Sequence, residues 1–347
     1  MGLKPFRFED ISGVYTEICG KKSSSDSKTL LLRADIDGVL VREETGLPFS
    51  SVNHGLMHAT GRDCHIAMML GAAKILKLLQ EEFTGKVRIL FQAAEESAQG
   101  SKEYIGRGIL RGVDAVYAAH VYGNLEAPKI DVASGCRMAS ADKFTMEVFG
   151  QTANGSQPHL GKDAIVAAAD IISTIQSYVS RNNDPSNPLV ITIGKISGGT
   201  QRNLIADHVR MDGTVRTHST ETRRKMESEL SEMIEHVAMA HGCRARLQYQ
   251  YMLPPQENNA KLTAIAAKAA EKLFSAEHLV HLPPLMSSED FSNYGENVPC
   301  IYVNLGCANQ RLGYTENNYS SKFMVDESIL KRGTALCVQF VLDYLSK

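Results

Sequence analysis

Three short clusters in this chain carry side chains of the kind that hold cations or move protons. The first is HATGRDCH, running from His58 to His65. The second is the adjacent acid pair Glu95 and Glu96 in FQAAEES, and the third is His120 in AAHVYG. Adjacent acids after a strand suit a division of labour, one carboxylate holding a cation while the other activates water. Histidine fits either task, as proton carrier or ligand. Each cluster alone has a plainer reading, because an acid pair is ordinarily a solvated turn and a single histidine an ordinary packed residue. Their recurrence at successive strand ends sets chemistry level with those plainer readings.

The elements that must position them follow from the hydrophobic pattern. Leu30–Asp35 reads as a buried strand, as do Val87–Gln92 and Ala115–Val121, and Ile66–Gln80 carries apolar residues at helical spacing. Strands alternating with helices predict an α/β layer with a mostly parallel sheet. Polar groups at the carboxyl ends of neighbouring parallel strands converge on one crevice, where such sheets bind ligands. Near Ala139 the texture changes. FTMEVFG, LVITIGKI and VRMDGTVRT read as strands, interleaved with amphipathic helices over Asp163–Val179 and about Glu221–Ala240. That order is a ferredoxin-like split βαβ unit, ending near RARLQYQY. After Pro254-Pro255 come a helix (Asn258–Phe274), the strand CIYVNLG and a last helix, about Glu327–Leu345. The expected organisation is one α/β domain, residues 1–138 and 253–347, interrupted by an α+β domain over 139–252.

Composition narrows the class further. The 347 residues carry 37 Lys/Arg against 39 Asp/Glu, a net charge of −2, so no basic field points to nucleic acid or an anionic membrane. No apolar run approaches the roughly 20 residues of a spanning helix, and MGLKPFRFED lacks the pattern of a secretory signal. Seven scattered cysteines without a C-x-x-C pair read as reduced thiols in a cytoplasmic protein.

LLRADIDGVLVREETGLPFSS, HATGRDCHIAMMLGAAKIL, FQAAEES and AAHVYG resemble the metallo-amidohydrolase family of aminoacylase, hippurate hydrolase and auxin-amino-acid conjugate hydrolase type. GQTANGSQPHLGKDAIVAAADII, GKISGGTQRNLIADHVRMDGTVRT, MSSEDF and SSKFMVDESIL continue it in the same order. The resemblance implies a zinc-peptidase-like catalytic domain with an inserted lid domain that usually dimerises. It also implies hydrolysis of the amide bond of N-acyl amino acids or small peptides by two bridged divalent metals (Zn, Mn or Co). By matching position Glu95 is the general base, and Glu96 and His120 are metal ligands. Asp35, Asp37 and Asp63 match carboxylates that support the ligands. Asn154, Asn203 and Arg216 match lid positions that contact substrate. The family begins with a helical segment ahead of its first strand; this chain starts about where that helix would end and reads as lacking it.

The departures fall on the metal site. The family motif H-A-C-G-H-D places a ligand Cys and a ligand His where this chain has Thr60 and Arg62, and its last ligand His is here Tyr319. Only two of five expected ligands remain. The lid histidine of a G-H-G element is Asn154, and the Gly of the motif holding Glu289 is Ser287. A threonine hydroxyl stays protonated where a thiolate would bind metal, and a guanidinium never has a lone pair to give. Arg62 could instead supply a cation in the metal's place, forking onto one carboxylate of a cluster formed by Glu95, Glu96 and Asp63. The expectation is a degenerate site that binds a small acylated amino acid or peptide, with the two-metal reaction lost or strongly reduced and the metal absent or weakly bound. Two alternatives stand beside it. One is an active hydrolase with an atypical single metal, held with help from Cys64, His65 or His58, and Glu95 as base. The other is a structural subunit paired with an active paralogue, in place of a homodimer through the lid domain.

Overall fold

The computed structural model describes residues 1–23 and 27–346; KKSSSDSK, turn-like by its composition, lies partly outside the described residues. In chain order the elements are β1 (Phe6–Arg7), β2 (Val14–Cys19), β3 (Thr29–Asp35), α1 (Arg62–Leu78), β4 (Lys86–Gln92), α2 (Gly100–Gly106), β5 (Ala115–Glu126), β6 (Ile130–Asp131) and β7 (Gly135–Met138). Then follow β8 (Ala141–Phe149), α3 (Ala164–Arg181), β9 (Leu189–Gly198), β10 (His208–Thr217), α4 (Thr220–Ala240) and β11 (Arg244–Leu253). Last come β12 (Gln256–Asn258), α5 (Ala260–Leu273), β13 (Leu279–Val280), α6 (Ser292–Gly295), β14 (Cys300–Ala308) and α7 (Ser328–Leu345). They form two compact units, one of Met1–Arg137, Glu257–Pro283 and Asp290–Lys347, the other of Met138–Gln256 and Pro284–Glu289.

The first unit is built on an eight-stranded sheet of order β1-β2-β4-β3-β5-β14-β6-β13. Its centre is parallel: β3 pairs with β4 and β5, and β5 with β14. Parallel neighbours need a crossover, which α1 supplies between β3 and β4. A strand covered on both faces must be apolar throughout, and Leu30, Leu31 and Leu32 of β3 are fully buried. Helices α1, α5 and α7 contribute Met68, Leu76, Ala266, Ala269, Leu336 and Val341 to the same core. The stretch FRFEDISGVYTEICG divides into two strands, β1 and β2, paired antiparallel at the sheet edge. The helix expected from Ile66 begins four residues earlier, at Arg62.

The second unit is a four-stranded antiparallel sheet of order β11-β8-β10-β9 with α3 and α4 packed on one face. The strand order and the βαββαβ sequence give a ferredoxin-like topology. Alternation explains its core: Phe144, Met146 and Val148 of β8 point to the helices, while Lys143, Thr145 and Glu147 lie between them in sequence. Both helices start on side-chain caps. Asp163 accepts from Ile165 N–H at 2.9 Å, and Ser219 from Thr222 N–H at 3.1 Å. Among the described residues no helix is long and apolar enough to cross a membrane.

Candidate active site

The carboxyl ends of β3 and β4 and the middle of β5, which runs on to Glu126 where the sequence pattern ended it at Val121, deliver Asp35, the Glu95–Glu96 turn and His120 to one place in the first unit, and α1 enters it with Arg62 at its first position. The approach is tight. Gly61 has φ +79, and a Cβ there would lie 2.2 Å from Val121 Cγ2, so this turn requires glycine on both counts.

Arg62 is 1% exposed and meets three carboxylates. Its Nε donates to Asp35 Oδ2 at 2.6 Å, its Nη2 donates to Glu95 Oε2, and its Nη1 lies 2.6 Å from Glu96 Oε1. The sequence anticipated a fork onto one carboxylate; each guanidinium nitrogen instead faces a different one. The third acid is also not the expected one. Asp63 is exposed and lines a separate cleft, and Asp35 takes its place in the cluster.

Asp35 is the most enclosed member. Burial pushes its carboxyl upward, but the Arg33 charge and the His65 hydrogen bond outweigh this and hold it well below the usual carboxylate range. His65 Nδ1 is 2.8 Å from Asp35 Oδ1, and Val121 N–H donates to His65 Nε2 at 3.0 Å. An acceptor at Nε2 places the His65 proton on Nδ1, so both nitrogens are engaged within the protein. The His120 ring lies 4.2 Å from that of His65, centroid to centroid, and its Nδ1 donates to Val121 O at 2.7 Å. Burial, then the neighbouring His65, hold the His120 imidazole well below its ordinary pKa. It is neutral at pH 7, with its lone pair on Nε2. Asp35, His65 and His120 each bring a potential ligand atom within 4.8 Å of the others, the His65 nitrogens being occupied as described.

The surrounding groups fix the acids. Asp37 accepts Ala94 N–H at 2.7 Å and Glu96 N–H at 3.1 Å, holding the turn that carries both glutamates. Asp290 N–H donates to Glu95 Oε1 at 3.4 Å. Tyr319, at φ +72, donates its hydroxyl to Glu96 Oε1 at 3.1 Å. Burial and the Glu96 and Glu95 charges push that phenol above its ordinary pKa, so it remains a donor. Thr60 is 2% exposed, and its hydroxyl has no hydrogen-bond partner among the described residues. His58 Nδ1 is 2.9 Å from Asp37 O. Cys64 is a buried thiol pushed upward, chiefly by burial. Among the described residues no two of the seven cysteines form a disulfide.

Two supports were not read from the sequence. Asn318 accepts Gly123 N–H at 2.9 Å and donates to Thr60 O and Val121 O at 3.2 and 3.3 Å, tying together the strands' ends. Arg33, 1% exposed, donates from Nη2 to Asp290 Oδ1 at 2.8 Å and from Nε to Gln92 Oε1 at 3.0 Å. Its signal was present: an arginine inside the buried run LLLRAD needs a buried partner.

In the second unit, Asn154 and Asn203 lie on adjoining exposed loops, where Gly155 N–H donates to Asn203 O at 2.8 Å. Asn154 Oδ1 accepts Ser156 N–H and Oγ–H at 3.0 and 2.9 Å. Arg216 Nη1 donates to Ser288 Oγ at 3.2 Å, in the segment that also holds Ser287 and the buried Glu289.

Comparison with known proteins places this arrangement. The sequence profile of Peptidase family M20/M25/M40 matches residues 31–343. N-acetyl-L-cysteine deacetylase of Bacillus subtilis (strain 168) is 36% identical over 295 residues, 85% of this chain and 70% of that protein. IAA-amino acid hydrolase ILR1-like 4 of Arabidopsis thaliana is 31% identical over 334 residues, 95% of this chain and 76% of that protein. Among solved structures, a dinuclear metal binding peptidase of the M20 family from Bacillus subtilis superposes with a TM-score of 0.86 at 31% identity, covering 99% of this chain and 88% of that one. With nine-tenths of its length matched by the profile and with relatives of this similarity, the chain belongs to Peptidase family M20/M25/M40.

Proposed function

We propose that this protein keeps the family's amide substrate class, binding N-acyl amino acids or small acylated peptides, while the two-metal hydrolysis is lost or strongly reduced. The observation that carries the reading is the Arg62 guanidinium seated among Asp35, Glu95 and Glu96. The family implies a pair of divalent metals, and the residues present do not fit them. Thr60 offers a neutral hydroxyl, Tyr319 a phenol held protonated, and His65 has both nitrogens occupied. A guanidinium about 4 Å from a dication repels it by about 8 kcal/mol at an effective dielectric of 20. Glu95, the family base by position, has Oε2 committed to Arg62. Arg62 takes over the metals' structural task of neutralising the acids.

The reading extends to assembly and compartment. Ile165, Val166, Ile196 and Leu204 are each at least 41% exposed, on or beside α3 and the edge strand β9 of the second unit. An unpaired edge flanked by apolar side chains supports a homodimer through that unit. Seven cysteines with no disulfide among the described residues support a cytoplasmic location.

The test combines elemental analysis with a hydrolysis and binding screen. The expected result is substoichiometric zinc, manganese and cobalt in the purified protein. N-acetylcysteine, N-acetylmethionine, hippurate and indole-acetyl amino acids should bind in calorimetry without chelator-sensitive turnover. One or two equivalents of metal with turnover abolished by chelator would overturn the proposal and favour the active alternative, with His120 Nε2 the first ligand to examine. Absence of binding by any acyl amino acid, with an active paralogue co-purifying, would favour the structural-subunit alternative.

A further inference from the structure

The first unit has a second concavity, separate from the carboxylate cluster. Its volume is about 670 Å³, within the range small-molecule sites occupy. One wall is the loop over 40–56, closed at its base where Val39 N–H donates to Met57 O at 2.8 Å and Met57 N–H to Val39 O at 3.1 Å. Glu43 accepts Ser51 N–H at 2.8 Å across the loop, and Glu44 N–H donates to Ser321 O at 2.8 Å, anchoring it to the segment after Tyr319. The loop presents Leu47, Phe49 and Val52 above a floor of Met57, Cys64 and Phe323. Phe49 is 66% and Val52 90% exposed, large apolar groups left in water at the rim.

The charged lining is one-sided. Glu43, Asp63 and Glu327 border the cleft, and no lysine or arginine does among the described residues. Asp63 opens α1 and Glu327 precedes α7, and both carboxylates lie near enough to Cys64 that their charges add to burial in raising its thiol. Apolar walls with unneutralised acids select a cation with an apolar body. An N-acyl amino acid is anionic at neutral pH and would be repelled, so this cleft and the Arg62 centre call for different ligands.

We propose that the cleft binds a small hydrophobic monoamine. Its ring or branched chain covers Phe49, Met57 and Phe323, and its ammonium pairs with Asp63 and Glu327. This is independent of the function assigned to the Arg62 centre. The test uses the full chain and titration calorimetry with 2-phenylethylamine, against 2-phenylethanol and 3-phenylpropionate as neutral and anionic comparators of similar size. The amine should bind at least about tenfold more tightly than the alcohol, the gain of one charge-assisted contact, and the acid should not bind. Asp63→Asn and Glu327→Gln should each weaken the amine about tenfold and leave the alcohol unchanged. Ala67→Phe, which fills the cleft from an exposed position on α1, should abolish amine binding with thermal unfolding preserved. Equal binding of amine and alcohol, amine binding unaffected by both carboxamide variants, or no amine binding at millimolar concentration would each overturn the proposal.

Discussion

Replacing Arg62 by methionine tests the central interaction most directly. Methionine keeps much of the aliphatic volume and removes one cation, leaving Asp35, Glu95 and Glu96 without the charge that each of them faces. Removing one partner of a buried ion pair costs about 3–5 kcal/mol, because the remaining charge stays desolvated. Here Asp35 and Glu95 are buried and Glu96 is about one-third exposed, so the upper part of that range is expected and Glu96 adds little. For a unit of this size each kcal/mol shifts the melting temperature by roughly 2–4 °C, so about 4–5 kcal/mol gives a fall of about 8–20 °C at pH 7. The pH dependence has a definite sign. Asp35 is depressed in the folded protein, so its contribution is present above its unfolded pKa and is lost as pH falls through the folded value. In Arg62→Met the same carboxyl loses a stabilising cation and its folded pKa rises. The difference between wild type and variant should therefore be largest near neutrality and shrink as pH falls below about 5 toward the depressed folded value of Asp35. Circular-dichroism melts of both proteins across that range measure it. A variant as stable as wild type at pH 7, or a stability gap that widens on acidification, would refute the ion-pair account.

Restoring the family ligands through Thr60→Cys, Arg62→His and Tyr319→His together should raise divalent-metal binding to stoichiometric, read by elemental analysis against the wild type. Each single change should bind at most weakly. Gly61→Ala should cost at least about 2 kcal/mol, since it combines a left-handed backbone with a contact against Val121, and a denaturation midpoint will show it. Ile196→Asp, on the exposed edge strand β9, should shift a dimer toward monomer in light scattering while leaving the melting of the first unit unchanged.

What the sequence disclosed was mostly local. The β3 run LLLRAD and the helical spacing after His65 were strong because periodicity and burial act over a few residues. The convergence of Glu95, Glu96 and His120 followed from a general property of parallel sheets. The start of α1 was read late because its first turn, Arg62-Asp-Cys-His65, is polar or reactive and adds nothing to an apolar pattern, although Cys64 and His65 are buried. The short helices α2 and α6 carry too few turns to show a period. The choice of third carboxylate was wrong for a different reason. Asp63 is Arg62's neighbour in sequence, but consecutive helix residues diverge by about 100°. Asp35, reached across 27 residues of chain, supplies the partner. Asn318 and Asp290 are still more remote, at 258 residues from Thr60 and 257 from Arg33. No local pattern encodes such pairings.

The way Arg62 is held also bears on whether another mechanism could use it. A guanidinium facing a substrate carbonyl could stabilise developing negative charge as a metal does. Its power to do so depends on donors left for the substrate. In this site Nε, Nη1 and Nη2 each face a carboxylate, so three of the five N–H donors and much of the positive field are directed into the protein. Three acids against one guanidinium leave the cluster negative, with Arg33 shared between Asp35 and Asp290. A tetrahedral oxyanion placed beside it would meet net repulsion. Freeing Glu95 to act as base would require breaking its contact with Arg62. On the proposed reading, the geometry that lets Arg62 stand in structurally for metal also disfavours it as a catalytic group. On that reading the centre is suited to holding an amide, and turnover measured with and without chelator decides whether it also cleaves one.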